Sequence, residues 1–141
     1  MLYLATEEAE PLASAPELSV NELDPANADV IRSYFSLPHV RHIGAHTGCS
    51  CGFPSVESEE LIDYFDGMFD DSEDRTADLE SVRALLALIR RHAANGHRVE
   101  LFPVWFMEEG SASKGTLDVS ASSLEAETFF FNRQYLYRIH A

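Results

Sequence analysis

Short stretches in which apolar residues cluster or alternate with polar ones predict β-strands in the first and last thirds of the chain. The clearest example is GTLDVS, where Leu117 and Val119 alternate with polar side chains, as in a strand with one buried face. Pro103 cannot donate a ladder hydrogen bond, so it indicates a sheet edge, a bulge or the end of a strand. The predicted strands are residues 2–5, 39–45, 97–106 and 115–120, with residues 127–131 and 135–139 as the arms of a hairpin around Asn132 and Arg133.

Apolar residues spaced three and four apart predict helices in the middle of the chain. The longest is expected from about Thr76 to Asn95, because basic residues fill its last turn and Gly96 follows where a left-handed cap is needed. A preceding helix is expected to start near Ser55 or Glu57 and to run to about residue 69. A short helix should follow Asp24 and Pro25. The expected buried face of the longest helix is Leu79, Val82, Leu85, Leu86, Ile89 and Ala93.

The order of these elements predicts the fold class. Strands gathered near the end of the chain and two adjacent central helices indicate an α+β domain, with a largely antiparallel sheet and the two central helices packed on one face. A doubly wound parallel sheet would need helices between the late strands, and no stretch there is long enough. At 141 residues the chain has the size of one domain, so a single globular unit is expected over residues 1–141.

Charge limits the partners that the chain can attract. The formal net charge is −14, which repels phosphate backbones and anionic membrane surfaces, so neither nucleic acid nor membrane is expected as a partner. A protein partner or a homodimer stays open. Residues 57–80 contain eleven carboxylates and a single base, Arg75. Their offsets do not fit a calcium loop, so we expect a solvated acidic face and a helix N-cap at Asp74 or Thr76.

The chain is expected in the cytoplasm. Its start carries no basic leader, Glu7 and Glu8 follow too early for a secretory signal, and no apolar run approaches the roughly 20 residues of a membrane span. The only two cysteines are one residue apart, which is no multi-bridge framework. In a reducing compartment, thiol or metal chemistry is then preferred to a structural disulfide.

The stretch HTGCSCGFPS, residues 46–55, is the candidate site. Thiolate and imidazole together suit zinc, and a structural zinc site takes four such ligands. The preferred ligands are His46, Cys49 and Cys51, because His42 and His46 would lie about 13 Å apart if residues 39–45 form a strand. A turn would make His42 a further candidate. Nearby alternatives are His39 and, for the fourth position, water, His92 or His97.

Thiol chemistry is the second interpretation. Either Cys49 or Cys51 would be the catalytic nucleophile of a redox enzyme or the reactive thiol of a sensor, activated by the start of the following helix or by His46. A disulfide between them closes a very small ring, which fits a redox couple better than a cross-link. The nearby carboxylates oppose thiolate formation.

The third interpretation needs no reactive group. Glycines at 44, 48 and 52 would form a tight bend in which the cysteines are buried as small apolar residues. The chain would then be a protein-interaction module that uses an aromatic strand or the acidic helix face. No nucleotide-binding, hydrolase or zinc-protease motif is present, so whether the chain is an enzyme stays open.

Overall fold

The computed structural model describes residues 1–53, 55–56, 72–104, 108–128 and 131–141. Within these residues the helices are α1 (Ala28–Arg32) and α2 (Ser72–Ala94). The strands are β1 (Leu2–Thr6), β2 (Ala13–Ser14), β3 (Ser19–Asn21), β4 (His39–Gly44), β5 (Ser55–Val56), β6 (Val99–Pro103), β7 (Gly115–Ser120), β8 (Phe131–Asn132) and β9 (Tyr135–His140).

Seven strands form the main sheet, in the order β2-β3-β4-β1-β6-β9-β7. Every neighbouring pair is antiparallel except β7 and β9, which run parallel. The predicted α+β class with a largely antiparallel sheet is therefore confirmed. Pro103 is the last residue of β6, as expected of a strand end, and its carbonyl accepts a hydrogen bond from Gln134 N–H at 2.7 Å.

Strand β1 lies between β4 and β6, and all five of its residues are buried. Successive side chains of a strand point to opposite faces, so β1 contributes to two cores. Leu2 and Leu4 pack in the core that contains α2. Tyr3 and Ala5 pack in the core on the other face. The continuous apolar run at the start of the chain follows from this burial on both sides.

Helix α2 covers one face of the sheet. It begins at Ser72, four residues before the predicted start, so the predicted N-cap at Asp74 or Thr76 is wrong, because both residues lie within the helix. The end is as predicted, with Gly96 in the left-handed region at φ 79°. The apolar helix residues that are buried in this core are Val82, Leu85, Leu86, Leu88, Ile89 and Ala93. Leu79, which was predicted on this face, is only partly buried, and Leu88 was not predicted there.

The opposite face of the sheet is covered by α1 and the residues that follow it. Ile31 is buried there, and the Tyr34 ring stacks on Phe102 with the ring centroids 4.2 Å apart. The predicted short helix is present, but it ends at Arg32 because the chain then turns to lay Tyr34 and Phe35 on the sheet. The sheet is thus enclosed on two sides, and the long helix supplies only one of them.

The hairpin predicted around Asn132 and Arg133 is wrong. Strand β8 pairs in parallel with β5 in a separate two-stranded sheet, whereas β9 pairs with β6 and β7. The reason is the burial of Phe131, whose ring lies 6.2 Å from Phe53 and 6.1 Å from Tyr137. Packing in this cluster directs β8 toward β5 rather than along β9.

The helix predicted before α2 falls almost entirely on residues 57–71, which lie outside the described residues. Its proposed start near Ser55 is wrong, because Ser55 and Val56 form β5. None of the helices in the described ranges is both long enough and apolar enough to span a membrane.

A buried carboxylate, Glu10, ties the chain before β2 to the end of α2. Nε2 of His92 lies 2.8 Å from Oε2 of Glu10, and both side chains are about nine-tenths buried. Arg91 also contacts the Glu10 carboxylate, at 2.5 Å. Because burying a carboxylate is costly unless it is paired and hydrogen-bonded, these contacts fix the position of residue 10 on the helix.

Replacing Glu10 should therefore destabilise the fold. We expect Glu10→Gln to lower the free energy of unfolding by about 1–3 kcal/mol, because it removes the carboxylate that His92 and Arg91 contact. Urea unfolding at neutral pH measures the loss. Glu17→Gln is the matched control, since Glu17 is exposed, and should change stability by less than about 0.5 kcal/mol. Equal losses in the two variants would contradict a stabilising role for the buried pair.

Candidate functional site

The sequence HTGCSC forms a compact loop directly after β4. Gly48 N–H donates to the Ala45 carbonyl at 2.8 Å, and Ala45 N–H donates to the Cys49 carbonyl at 2.7 Å, which closes the turn. A single 3₁₀ turn, Ser50–Gly52, follows. These local bonds fold the chain back so that Cys49 and Cys51 flank one inward-facing serine.

Cys49 and Cys51 form a disulfide, with their Cα atoms 5.4 Å apart. Cys51 is exposed and Cys49 is partly exposed, so the expectation that both are buried as small apolar residues is wrong. The physical reason is the alternation of the loop, which turns Ser50 toward the sheet and the two flanking side chains away from it. The sequence favoured free thiols or a bound metal over a disulfide, whereas in this structure the two cysteines are bonded to each other.

The sulfur of Cys49 receives hydrogen bonds from its own loop. Cys51 N–H donates to Sγ of Cys49 at 3.2 Å, so Cys49 caps the 3₁₀ turn. Oγ1 of Thr47 lies 3.3 Å from the same sulfur and 3.4 Å from the Cys49 carbonyl oxygen. Both the carbonyl and the disulfide sulfur can only accept, so the threonine hydroxyl is the donor shared between them. Both donors are neutral groups that point at one of the two sulfurs.

Ser50 anchors the loop to the sheet. Its hydroxyl accepts a hydrogen bond from Leu2 N–H at 2.8 Å and donates to the Ile43 carbonyl at 2.7 Å. Nε2 of His42 lies 3.2 Å from the same oxygen, and because the single hydroxyl proton is used on Ile43, we assign the imidazole as a second donor. Burial lowers the pKa of His42, which favours the neutral ring.

His46 anchors the other side of the loop to α2. Its backbone N–H donates to Oγ of Ser81 at 2.9 Å, and its Nδ1 lies 3.5 Å from Oδ1 of Asp78. A Cβ on Gly52 would lie 2.8 Å from the Cβ of Ala45 and 2.9 Å from Oδ1 of Asp78. Any larger residue at position 52 would therefore have to displace Ala45, which lies in the buried part of the loop.

No family model, curated protein or solved structure matches the chain. The chemistry of the loop therefore rests on its own contacts. The two cysteines are bonded to each other. Of the two neighbouring histidines, His42 contacts Ser50 and His46 contacts Asp78 of α2.

The zinc site expected from the sequence stays a prediction. Among the described residues, no group of three or more His, Cys, Asp or Glu side chains is placed so that it could hold a metal ion. His92 follows Ser81 by eleven residues of helix, about 16 Å along the axis, so it is not placed to complete a set with the loop. His97 lies beside His92, with the ring centroids 6.3 Å apart, and is equally remote.

Sequence reasoning missed the residues that hold the loop. Ser50 lies between the two cysteines, and this position is the one local feature of the sequence that points to it. Asp78 and Ser81 lie about one helical turn apart on α2, more than 25 residues after the loop, and nothing local connects them to it.

Removing the Ser50 hydroxyl should loosen the loop. We expect Ser50→Ala to cost about 1–3 kcal/mol in the free energy of unfolding, since it leaves Leu2 N–H and the Ile43 carbonyl without this partner. Ser33→Ala is the control, because Ser33 is exposed and bonds only to the nearby Val30 carbonyl; its loss should stay below about 0.5 kcal/mol. Thermal and urea unfolding with the disulfide intact measure both. A Ser50 loss as small as that of the control would mean that the loop does not depend on this hydroxyl.

The buried His42 ring should make stability depend on pH. Its pKa is lowered in the folded state, so the unfolded chain binds this proton more tightly. The stability that the neutral ring contributes is complete above about pH 6.5 and is lost as the pH falls toward the folded pKa. Unfolding free energies of the wild type and His42→Gln between about pH 7.5 and 5 should therefore differ in slope, with the steeper decline in the wild type. Parallel curves for the wild type and His42→Gln would contradict the assignment.

Proposed function

We propose that the chain is a thiol–disulfide redox protein, an oxidoreductase or a redox sensor, whose reactive centre is the pair Cys49 and Cys51. The observation that carries the proposal is a disulfide at the surface of a loop that is held by other groups. Partner thiols can reach an exposed sulfur, and access is one of the factors that set the rate of thiol–disulfide exchange.

A purely structural role for this disulfide is a weaker explanation. A cross-link over three residues restricts the unfolded chain little, and the loop-entropy relation gives roughly 1.6 kcal/mol, about half the value for a 15-residue loop. The loop already has anchors on the sheet through Ser50 and on α2 through His46. These anchors do not involve sulfur, so the loop can keep its place when the disulfide is reduced.

The proposed reaction is a two-electron exchange with a partner dithiol or with two monothiols. A partner thiolate attacks one sulfur of the pair, the S–S bond breaks, and its electron pair leaves on the other sulfur. A second partner thiolate then attacks the partner sulfur of the mixed disulfide and releases the remaining cysteine. The partner is oxidised to a disulfide, the two cysteines are reduced, and the two protons lost by the partner thiols are available to the cysteine thiolates.

A redox titration tests the proposal. The protein is equilibrated anaerobically with ratios of reduced to oxidised glutathione and dithiothreitol, and alkylation followed by intact-mass measurement counts the free thiols. We expect one reversible transition of two electrons, with native structure in both states. The Cys49→Ser, Cys51→Ser double variant is the control and should show no transition. A pair that stays oxidised or stays reduced through the whole series contradicts the function.

Zinc binding by the reduced protein tests the alternative metal-site hypothesis. Zinc is added to the reduced protein, the excess is removed, and the bound metal is measured by elemental analysis. The redox proposal expects far less than one equivalent and no protection of the thiols. One equivalent that is absent from the double variant and that masks both thiols would instead support a metal-binding or regulatory protein with His46, Cys49 and Cys51 as ligands.

A further inference from the structure

We infer that the two cysteines have fixed and different roles: Cys51 is the sulfur that exchanges with the partner, and Cys49 is the leaving and resolving thiolate, which Thr47 stabilises as a positioning residue. The inference deepens the proposed redox function and rests on it. Its basis is the asymmetry of the pair in exposure and in hydrogen bonding.

Exposure distinguishes the sulfurs first. Cys51 is an exposed residue, whereas Cys49 is only partly exposed. An attacking thiolate must approach a disulfide sulfur from outside, roughly in line with the bond to be broken. The more open approach is therefore to Cys51, and the sulfur of Cys49 is the one that departs.

Hydrogen bonding to the two sulfurs also favours Cys49 as the leaving group. Sγ of Cys49 accepts from Cys51 N–H at 3.2 Å and lies 3.3 Å from the Thr47 hydroxyl. In the part of the chain that the structure describes, no hydrogen bond reaches Sγ of Cys51. Donors aimed at a sulfur stabilise its anion more than its neutral form, so the charge that develops on bond cleavage is better accommodated on Cys49.

The resulting sequence of bonds is balanced in both directions. A partner thiolate bonds to Sγ of Cys51, the Cys49–Cys51 bond breaks, and the electron pair remains on Cys49, next to its two donors. In reverse, the Cys49 thiolate attacks Cys51 of the mixed disulfide and expels the partner thiolate. Ser50, between the two, keeps its bonds to the Leu2 and Ile43 backbone throughout, which holds Cys49 within reach of the mixed disulfide.

Single-cysteine variants test the difference in access. Cys49→Ser leaves only Cys51, and Cys51→Ser leaves only Cys49. Both are treated with oxidised glutathione near pH 9.5, where an ordinary thiol is largely ionised and access dominates the comparison. Mass spectrometry follows the adducts. We expect Cys51 to form its adduct several-fold faster than Cys49, and equal or reversed rates would overturn the assignment.

Threonine variants with both cysteines present test the leaving thiolate. Thr47→Val removes the hydroxyl with little change in shape and should slow reduction of the native disulfide by dithiothreitol about threefold to tenfold, as expected for loss of one hydrogen bond to a developing charge. It should also make the reduction potential more negative, since the reduced state loses a stabilising contact. Thr47→Ser keeps the hydroxyl and should restore the wild-type rate and potential. If valine and serine behave alike, Thr47 has no such role.

These experiments distinguish a failure of the assigned cysteine roles from a failure of the proposed redox function. A disulfide that titrates reversibly but reacts first at Cys49, or ignores the change at Thr47, overturns the inference and leaves the redox function standing. A disulfide that dithiothreitol does not reduce in the folded protein overturns both.

Discussion

Strand β1 has to fill two cores at once, and the remaining structure is arranged around that requirement. It pairs with β4 on one side and β6 on the other, so its backbone is saturated while its side chains alternate between the face under α2 and the face under α1. A strand of this kind cannot shift its register by one residue without exchanging both sets of side chains. The Leu2 N–H that binds Ser50 belongs to this strand, so the cysteine loop is attached to the most constrained part of the fold.

The residues that anchor the loop are different from the two cysteines. Ser50 and His46 contact the sheet and α2, and Gly52 leaves room for Ala45 and the Asp78 side chain. The cysteines on either side of Ser50 carry none of these anchoring bonds. A change in the bonding of the sulfurs can therefore occur without releasing the loop from the core, as the proposed redox function requires.

The parts of the fold that follow from local periodicity could be predicted, and the parts set by distant contacts could not. Strand β1 is visible as a short apolar run, and strand β7 and most of the buried face of α2 have a period that is visible within a few residues. The partner of β8 is decided by Phe131 packing against Phe53, which is 78 positions earlier in the chain, and no window of sequence contains both. At the site, the spacing of the two cysteines in HTGCSC could be read from the sequence, but their exposure depends on Ser50 facing inward to Leu2 and Ile43.

The negative charge of the chain makes the neutral donors at Cys49 more significant. A net charge of −14 raises the free energy of any thiolate, and the Asp78 carboxylate beside His46 adds to this close to the loop. Salt screens charges beyond a Debye length, about 10 Å at 0.1 M, whereas Cys51 N–H and the Thr47 hydroxyl act on Sγ of Cys49 at contact distance. At this distance the N–H and O–H dipoles offset the repulsion between the protein's negative charge and a thiolate, and no cation is needed. An acidic protein can in this way stabilise a thiolate at one chosen sulfur while its surface as a whole disfavours anions.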